Sequence, residues 1–125
     1  MGQFYKDYLK AIDEVTDQAM SQIKSKFGRQ FDSIKSRKSN DGGSVTGILK
    51  TDSGLDSAVS VRFVLDNIDP LVECRSVFRE DSHDISAVII GKKIIPTDKF
   101  DSKHLVDLFA MAAKEAFKHI ERQGG

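Results

Sequence analysis

Residues 55–95 read LDSAVSVRFVLDNIDPLVECRSVFREDSHDISAVIIGKKII, and their pattern of apolar and polar residues predicts the centre of the fold. Three apolar runs follow one another with turn-forming residues between them: 58–65, 71–79 and 85–90. Apolar and polar residues alternate in the first two runs, which is typical of strands with one buried face. Because the links between the runs are short, we expect antiparallel strands arranged as a meander.

The same alternation separates a core face of the sheet from an open face. We predict a core face that carries Val59, Val61, Phe63, Val72, Cys74 and Phe78. The open face is then predicted to carry Thr46, Ile48, Ser60, Arg62, Val64, Glu73, Arg75, Val77, Arg79, Ser86, Val88 and Ile90.

Amphipathic helices are predicted at both ends of the chain. Over residues 3–27, apolar side chains recur every three or four positions and form one continuous stripe. A second helix is predicted to begin after Asp101, which can cap its free amides, while Phe100 and Leu105 occupy the positions of a hydrophobic staple. Its wide apolar face includes three alanines that allow a close neighbour, and the helix ends at Gly124.

Residues 29–38 allow two interpretations. Phe27, Phe31 and Ile34 keep helical spacing, so we favour a helix that continues through this segment with a break near Gly28. The alternative is a strand, because the glycine-rich segment 40–43 is a strong hairpin signal. Residues 44–51 are predicted to form a strand in either case.

The predicted architecture is therefore an α+β fold in a single domain over residues 1–125. We expect a two-layer sandwich, in which an antiparallel meander of four or five strands carries the N-terminal and C-terminal helices on one face. Two helices at about 10 Å spacing are about as wide as four strands at ~4.8 Å, so one layer of each closes the core. The other face of the sheet remains open.

The composition limits the classes of function. The chain has 125 residues with 19 basic and 19 acidic side chains, so no net charge draws it toward polyanions. Cys74 is the only cysteine, which excludes an intramolecular disulfide and is typical of a reducing compartment. We predict a cytoplasmic protein without a membrane partner, because no apolar run approaches the ~18 residues that a spanning helix needs.

Catalytic and metal-binding patterns are weak, and we predict no catalytic residue, metal site or cofactor. Residues 81–84 read DSHD and hold three possible metal ligands, but no second histidine follows at a suitable spacing. His104 and His119 lie about four helical turns apart and cannot share a site on one helix. These patterns favour a protein that is not an enzyme.

The open face is the surface that we predict to bind a partner. β-Branched residues are common on solvated sheet faces through propensity alone, so a purely structural role is the alternative. As a contact surface, its apolar centre would be Ile48, Val64, Val77, Val88 and Ile90. Its charged rim would be Arg62, Glu73, Arg75 and Arg79. The predicted partner is a second copy of the chain, as a homodimer, or another protein that the chain serves as an adaptor.

Two further functions are possible from the residues. The basic stripe, defined as Lys24, Lys26, Arg29, Lys35, Arg37 and Lys38, could contact a nucleic-acid backbone. A pocket between the sheet and the helices could instead make the protein a carrier of a small hydrophobic ligand.

Overall fold

The computed structural model describes residues 2–50, 56–66, 70–79 and 88–124, with side chains described within residues 12–119. It is an α+β fold that confirms the predicted class. The elements in chain order are α1 (Gly2–Phe27), β1 (Ser33–Lys38), β2 (Gly42–Lys50), β3 (Asp56–Leu65), β4 (Leu71–Arg79), β5 (Val88–Pro96), a 3-10 turn (Thr97–Lys99) and α2 (Ser102–Gly124).

The five strands form one sheet in the order β1-β2-β3-β4-β5, and every neighbouring pair is antiparallel. The predicted meander is therefore confirmed, with five strands. The sheet order follows the chain order because each link is too short to cross over a neighbouring strand.

The prediction that a helix continues through residues 29–38 is wrong. Helix α1 ends at Phe27, and the chain turns back so that Phe31 lies against both helices before β1 begins. The Phe31 ring centroid is 6.5 Å from that of Phe27 and 5.4 Å from that of Phe109. The helical spacing of the aromatic residues thus reflects packing across a turn.

A tight turn joins β1 to β2. The Ser39 amide donates to the Gly42 carbonyl at 2.9 Å, and the Ser39 hydroxyl donates to the Asp41 carboxylate at 2.9 Å. The two central residues, Asn40 and Asp41, are types that favour such turns. The hairpin alternative for this segment is therefore the observed structure.

The core lies between the sheet and the two helices. All six residues predicted for the core face of the sheet are buried, and the core cluster joins them to side chains of both helices. Helix α1 packs on β1 and β2, whereas α2 packs on β3, β4 and β5. Ala112, Ala113 and Ala116 are fully buried, which allows the α2 backbone to approach its neighbours closely.

Glycine permits close contact between α1 and the sheet at position 43. A Cβ atom on Gly43 would lie 2.5 Å from the Thr16 Oγ1 atom of α1 and 3.1 Å from the Phe63 ring. Both distances are shorter than ordinary van der Waals contact. Because residue 43 has no side chain, α1 can pack closely on β1 and β2.

Helix α2 begins as the sequence predicts. The Lys103 amide donates to the Asp101 carboxylate at 3.0 Å, which is the N-cap hydrogen bond. Phe100 packs partly buried against the core, with its ring centroid 5.1 Å from that of Phe63. The Ser102 hydroxyl donates to the Gln22 side chain at 3.3 Å and links the start of α2 to α1.

A β-bulge in β5 changes the predicted orientation of two residues. Val77 pairs with Ile89, but the preceding residue Ser76 pairs with Gly91, so Ile90 is the extra residue. Ile90 packs against the core cluster, and Val88 lies opposite Phe78 on the core side of the sheet. The predicted open-face positions of Val88 and Ile90 are therefore wrong, and Ile89 takes the open side.

Candidate binding face on the open side of the sheet

The register of the five strands defines the face of the sheet that lies away from both helices. This open face carries Ser33, Lys35, Arg37, Gly42, Ser44, Thr46, Ile48, Lys50, Asp56, Ala58, Ser60, Arg62, Val64, Leu71, Glu73, Arg75, Val77, Arg79, Ile89, Lys92, Ile94 and Pro96. Six of the eight residues predicted for the binding face are among them: Ile48, Arg62, Val64, Arg75, Val77 and Arg79. Predicted position Ser86 lies outside the described residues.

One register line across this face consists almost entirely of basic residues. Each successive pair along the line is a pair of cross-strand partners: Arg37 with Ser44, Ser44 with Arg62, Arg62 with Arg75, and Arg75 with Lys92. We call these five residues the basic row. At ~4.8 Å between strands, the row spans about 19 Å from β1 to β5.

Glu73 neutralises one end of the basic row. Its Oε1 atom lies 2.6 Å from Arg75 Nη2 and 3.3 Å from Lys92 Nζ. Hydrogen bonds from Arg75, and next from Lys92, lower the pKa of Glu73 below its usual range, so this carboxylate stays ionised.

The other end of the basic row has no such acid. Arg37 and Arg62 form no ion pair with any residue in the described part of the chain. With four basic side chains and one neighbouring carboxylate, the row carries three uncompensated positive charges.

A groove of about 550 Å³ lies over the open face between β1 and β4. The basic side chains of the open face that line it are Arg37, Arg62, Arg75 and Arg79, and none of the described residues that line it is acidic. The hydroxyls of Thr46 and Ser60 hydrogen-bond to each other at 3.0 Å. The groove thus offers an anionic group several positive charges and further polar atoms.

Apolar residues border the basic row on both sides. The register line that contains Glu73 places Val64 and Ile94 on one side, and the line that contains Val77 and Ile89 runs on the other. Ile89 and Ile94 are 57% and 60% exposed. Positive charge and exposed apolar area therefore occur side by side.

The structure divides the basic stripe between different surfaces. Lys24 and Lys26 lie in the last turn of α1, whereas Lys35 and Arg37 belong to the open face. Arg29 lies in the turn between α1 and β1.

Lys38, the last residue of the stripe, contacts α1. Its Nζ atom lies 2.8 Å from the Asp17 carboxylate and 3.7 Å from that of Asp13. The hydrogen bond to Asp17 raises the pKa of Lys38. Only Lys35 and Arg37 of the stripe are thus available to the open face.

The chemistry of the remaining candidate residues is limited. Cys74 is fully buried, and desolvation raises the pKa of its thiol to about 12, so the thiol is protonated at neutral pH. His104 stacks on Phe100, and His119 contacts the Phe78 ring. Within the ranges that the structure describes, no three residues among His, Cys, Asp and Glu form a group that could hold a metal ion. The DSHD segment at 81–84 lies outside those ranges.

A second, shallower groove of about 390 Å³ runs between β5 and α2. Its lining is Ile89, Ile90, Met111, Lys114, Glu115 and Lys118.

Comparison of the chain with models of protein families, with curated proteins and with solved structures finds no match. Among the residues that the structure places, neither helix combines the length and apolar character needed to cross a membrane.

Sequence reasoning missed the basic row for an identifiable reason. The sequence places Arg62 and Arg75 on the predicted open face, but it groups Arg37 with the basic stripe because that stripe is defined by charges close together in the chain. Lys92 follows the predicted run 85–90 and carries no alternation signal of its own. Alternation along each strand gives the face of a residue, but only the pairing between strands shows that these residues share one line.

Proposed function

We propose that this protein is a non-enzymatic interaction module that binds an acidic partner through its open sheet face. The observation that carries the proposal is the basic row, because it places four basic side chains and only one neighbouring carboxylate along one line of the sheet. The groove over the same face supports the proposal, since it gives that charge a concave surface.

The arrangement of charge favours a role in binding over a role in stability. Arg62 lies directly opposite Arg75 on the neighbouring strand, and like charges at such positions destabilise a sheet. Residues that lower stability are expected where function requires them. An acidic ligand would remove this repulsion.

The basic row also bears on the possible homodimer. A dimer built by pairing two open faces would bring two such rows close together, and like charges across an interface lower affinity. We therefore favour a different, acidic protein as the partner and treat self-association as one outcome of the test.

A cytoplasmic location is part of the same proposal. The chain has one cysteine, and its thiol is fully buried. A single unpaired cysteine is typical of proteins in reducing compartments.

The test uses fluorescent poly-L-glutamate as an acidic probe and measures its anisotropy at several salt concentrations. We expect the wild type to bind, with an affinity that falls as salt rises, because the contact is electrostatic. The double variant Arg37→Glu, Arg62→Glu should lose at least about tenfold in affinity relative to the wild type.

The matched control is the double variant Lys24→Glu, Lys26→Glu, which changes the net charge equally at the exposed end of α1. It should bind like the wild type. Equal losses in both variants, or no binding by the wild type at low salt, would refute the proposal. Light scattering of the wild type and of Val77→Lys tests self-association, and a wild-type dimer that Val77→Lys leaves intact would place the dimer contact away from the open face.

A further inference from the structure

We infer that the acidic partner is an amphipathic helix of another protein, which lies along the basic row with a stripe of carboxylates flanked by apolar side chains. This inference rests on the proposed function and names the chemistry of its partner. It draws on the residues that border the row and on the spacing along it.

The apolar borders of the basic row favour a protein over a nucleic acid. Ile89 and Ile94 lie on opposite sides of the row, and both are more than half exposed. Protein interfaces combine arginine with apolar side chains, whereas interfaces with nucleic acids are more polar and more strongly basic. Contacts to phosphates alone would leave these two isoleucines in water.

The open face also lacks the features of a nucleic-acid interface. None of its described residues is aromatic, so it offers no platform on which a base could stack. The number of phosphate contacts would be small, because Glu73 neutralises part of the row and Asp17 holds Lys38 on the other side of the sheet. Few phosphate contacts give weak binding at physiological salt.

The spacing of charges along the basic row fits a helix that crosses the strands. Arg62, Arg75 and Lys92 lie on consecutive strands, ~4.8 Å apart, and an α-helix returns to the same face every ~5.4 Å. One carboxylate per helical turn can therefore meet each of these three side chains. A fourth can reach Arg37, because arginine side chains are long enough to absorb the small difference in spacing.

The apolar residues of such a helix would sit on both sides of its acidic stripe. On the open face they would meet Val77 and Ile89 on one side and Val64 and Ile94 on the other. The interface then has charged pairs at its centre and apolar contact on both borders between β3 and β5. A helix whose carboxylates form one stripe can contact the basic row and its apolar borders together, whereas a helix with the same residues in random order cannot.

The experiment compares three fluorescent probes at about 150 mM salt. The first is a striped peptide of about 20 residues, with glutamate once per turn and leucine on both sides of it. The second is a scrambled peptide of the same composition, and the third is duplex DNA of about 20 base pairs. We expect the striped peptide to bind about tenfold more tightly than either of the others.

Three variants of the protein test the contacts separately. Glu73→Gln should strengthen binding of the striped peptide several-fold, because it frees Arg75 and Lys92. The double variant Ile89→Ser, Ile94→Ser should weaken binding about tenfold. Val88→Ser is the control, since Val88 is 61% exposed but lies on the core side of β5.

The outcomes separate this inference from the proposed function. If poly-L-glutamate binds at the row but the striped and scrambled peptides bind equally, the face takes acidic ligands without selecting a helix, and the inference is wrong. If duplex DNA binds more tightly than the striped peptide, the partner is a nucleic acid. A wild-type dimer that Val77→Lys separates would make a second copy of the chain the occupant.

Discussion

Arg62 and Arg75 lie directly opposite each other on β3 and β4, on a sheet face that neither helix covers. Glu73 contacts Arg75, but Arg62 has no acidic partner among the described residues. Both strands that carry the pair are interior strands of the sheet. The two arginines therefore lie within the candidate binding face and not at its edge.

Replacing Arg62 by threonine is expected to stabilise the protein. The substitution removes the repulsion across β3 and β4 and places a residue with high strand propensity there, for a gain of about 0.5 kcal/mol in the free energy of unfolding. Urea denaturation at low and high salt measures it, and the gain should shrink at high salt. Arg37→Thr is the control, because Arg37 faces Ser44. A larger gain at Arg37 would contradict the interpretation.

Thr16→Val should also stabilise the protein, by about 1 kcal/mol. The Thr16 hydroxyl is fully buried and has no hydrogen-bond partner among the described side chains and backbone, so an isosteric methyl group removes an unsatisfied polar atom. Thr46→Val should have the opposite effect, because Thr46 bonds to the Ser60 hydroxyl. Denaturant unfolding of both variants measures whether the free energy of unfolding rises or falls. A loss of stability in Thr16→Val would show that the Thr16 hydroxyl has a partner.

Gly43→Ala is expected to lower the free energy of unfolding by roughly 1–3 kcal/mol. The new methyl group would lie 2.5 Å from Thr16 Oγ1, so α1 would have to move away from β2. A double-mutant cycle with Thr16→Ala tests the mechanism, because removing that side chain should relieve much of the strain. Additive losses would mean that Thr16 is not the group that the methyl meets.

Cys74 should be unreactive toward thiol reagents in the native protein at pH 8. Its side chain is fully buried, and desolvation raises the pKa of the thiol from 9.0 to about 12. Release of a chromophore from a disulfide reagent should be slow without denaturant and rapid in urea. Fast modification of the native protein would mean that β4 opens readily.

The same raised pKa predicts a dependence of stability on pH. The folded state holds the thiol proton more tightly than the unfolded state, so the stability from this group is present below about pH 9 and is lost as pH rises toward 12. The free energy of unfolding should therefore fall less steeply above pH 9 in Cys74→Ala than in the wild type. Parallel slopes in the two proteins would contradict the predicted linkage.

The sequence was sufficient where the signal is local. Alternation between Val59 and Phe63 identified the core face of β3, and Asp101 identified the start of α2, because strand alternation and N-caps depend on residues close together in the chain. The interpretation failed at Phe31, whose partners Phe109 and Phe117 are far away in the sequence. Packing across that distance produced a spacing that resembles a helix.

The candidate site was less predictable than the fold because it depends on strand pairing. The bulge at Ile90 places Val88 and Ile90 on the core side and Ile89 on the open side of the sheet. No residue type within 85–90 indicates a bulge. The basic row likewise exists only through four pairing registers, so Arg37 and Lys92 could not be joined from their positions in the chain.

The two outer strands of the sheet have a consequence for the protein at high concentration. Strand β1 has six residues, half of them basic, and β5 carries a bulge, two adjacent lysines and a terminal proline. Charges, bulges and prolines at sheet edges prevent further strands from adding, which is how native proteins avoid growth into fibres. The margins of this sheet are thus poor templates for aggregation, even though one of its faces is not covered by a helix.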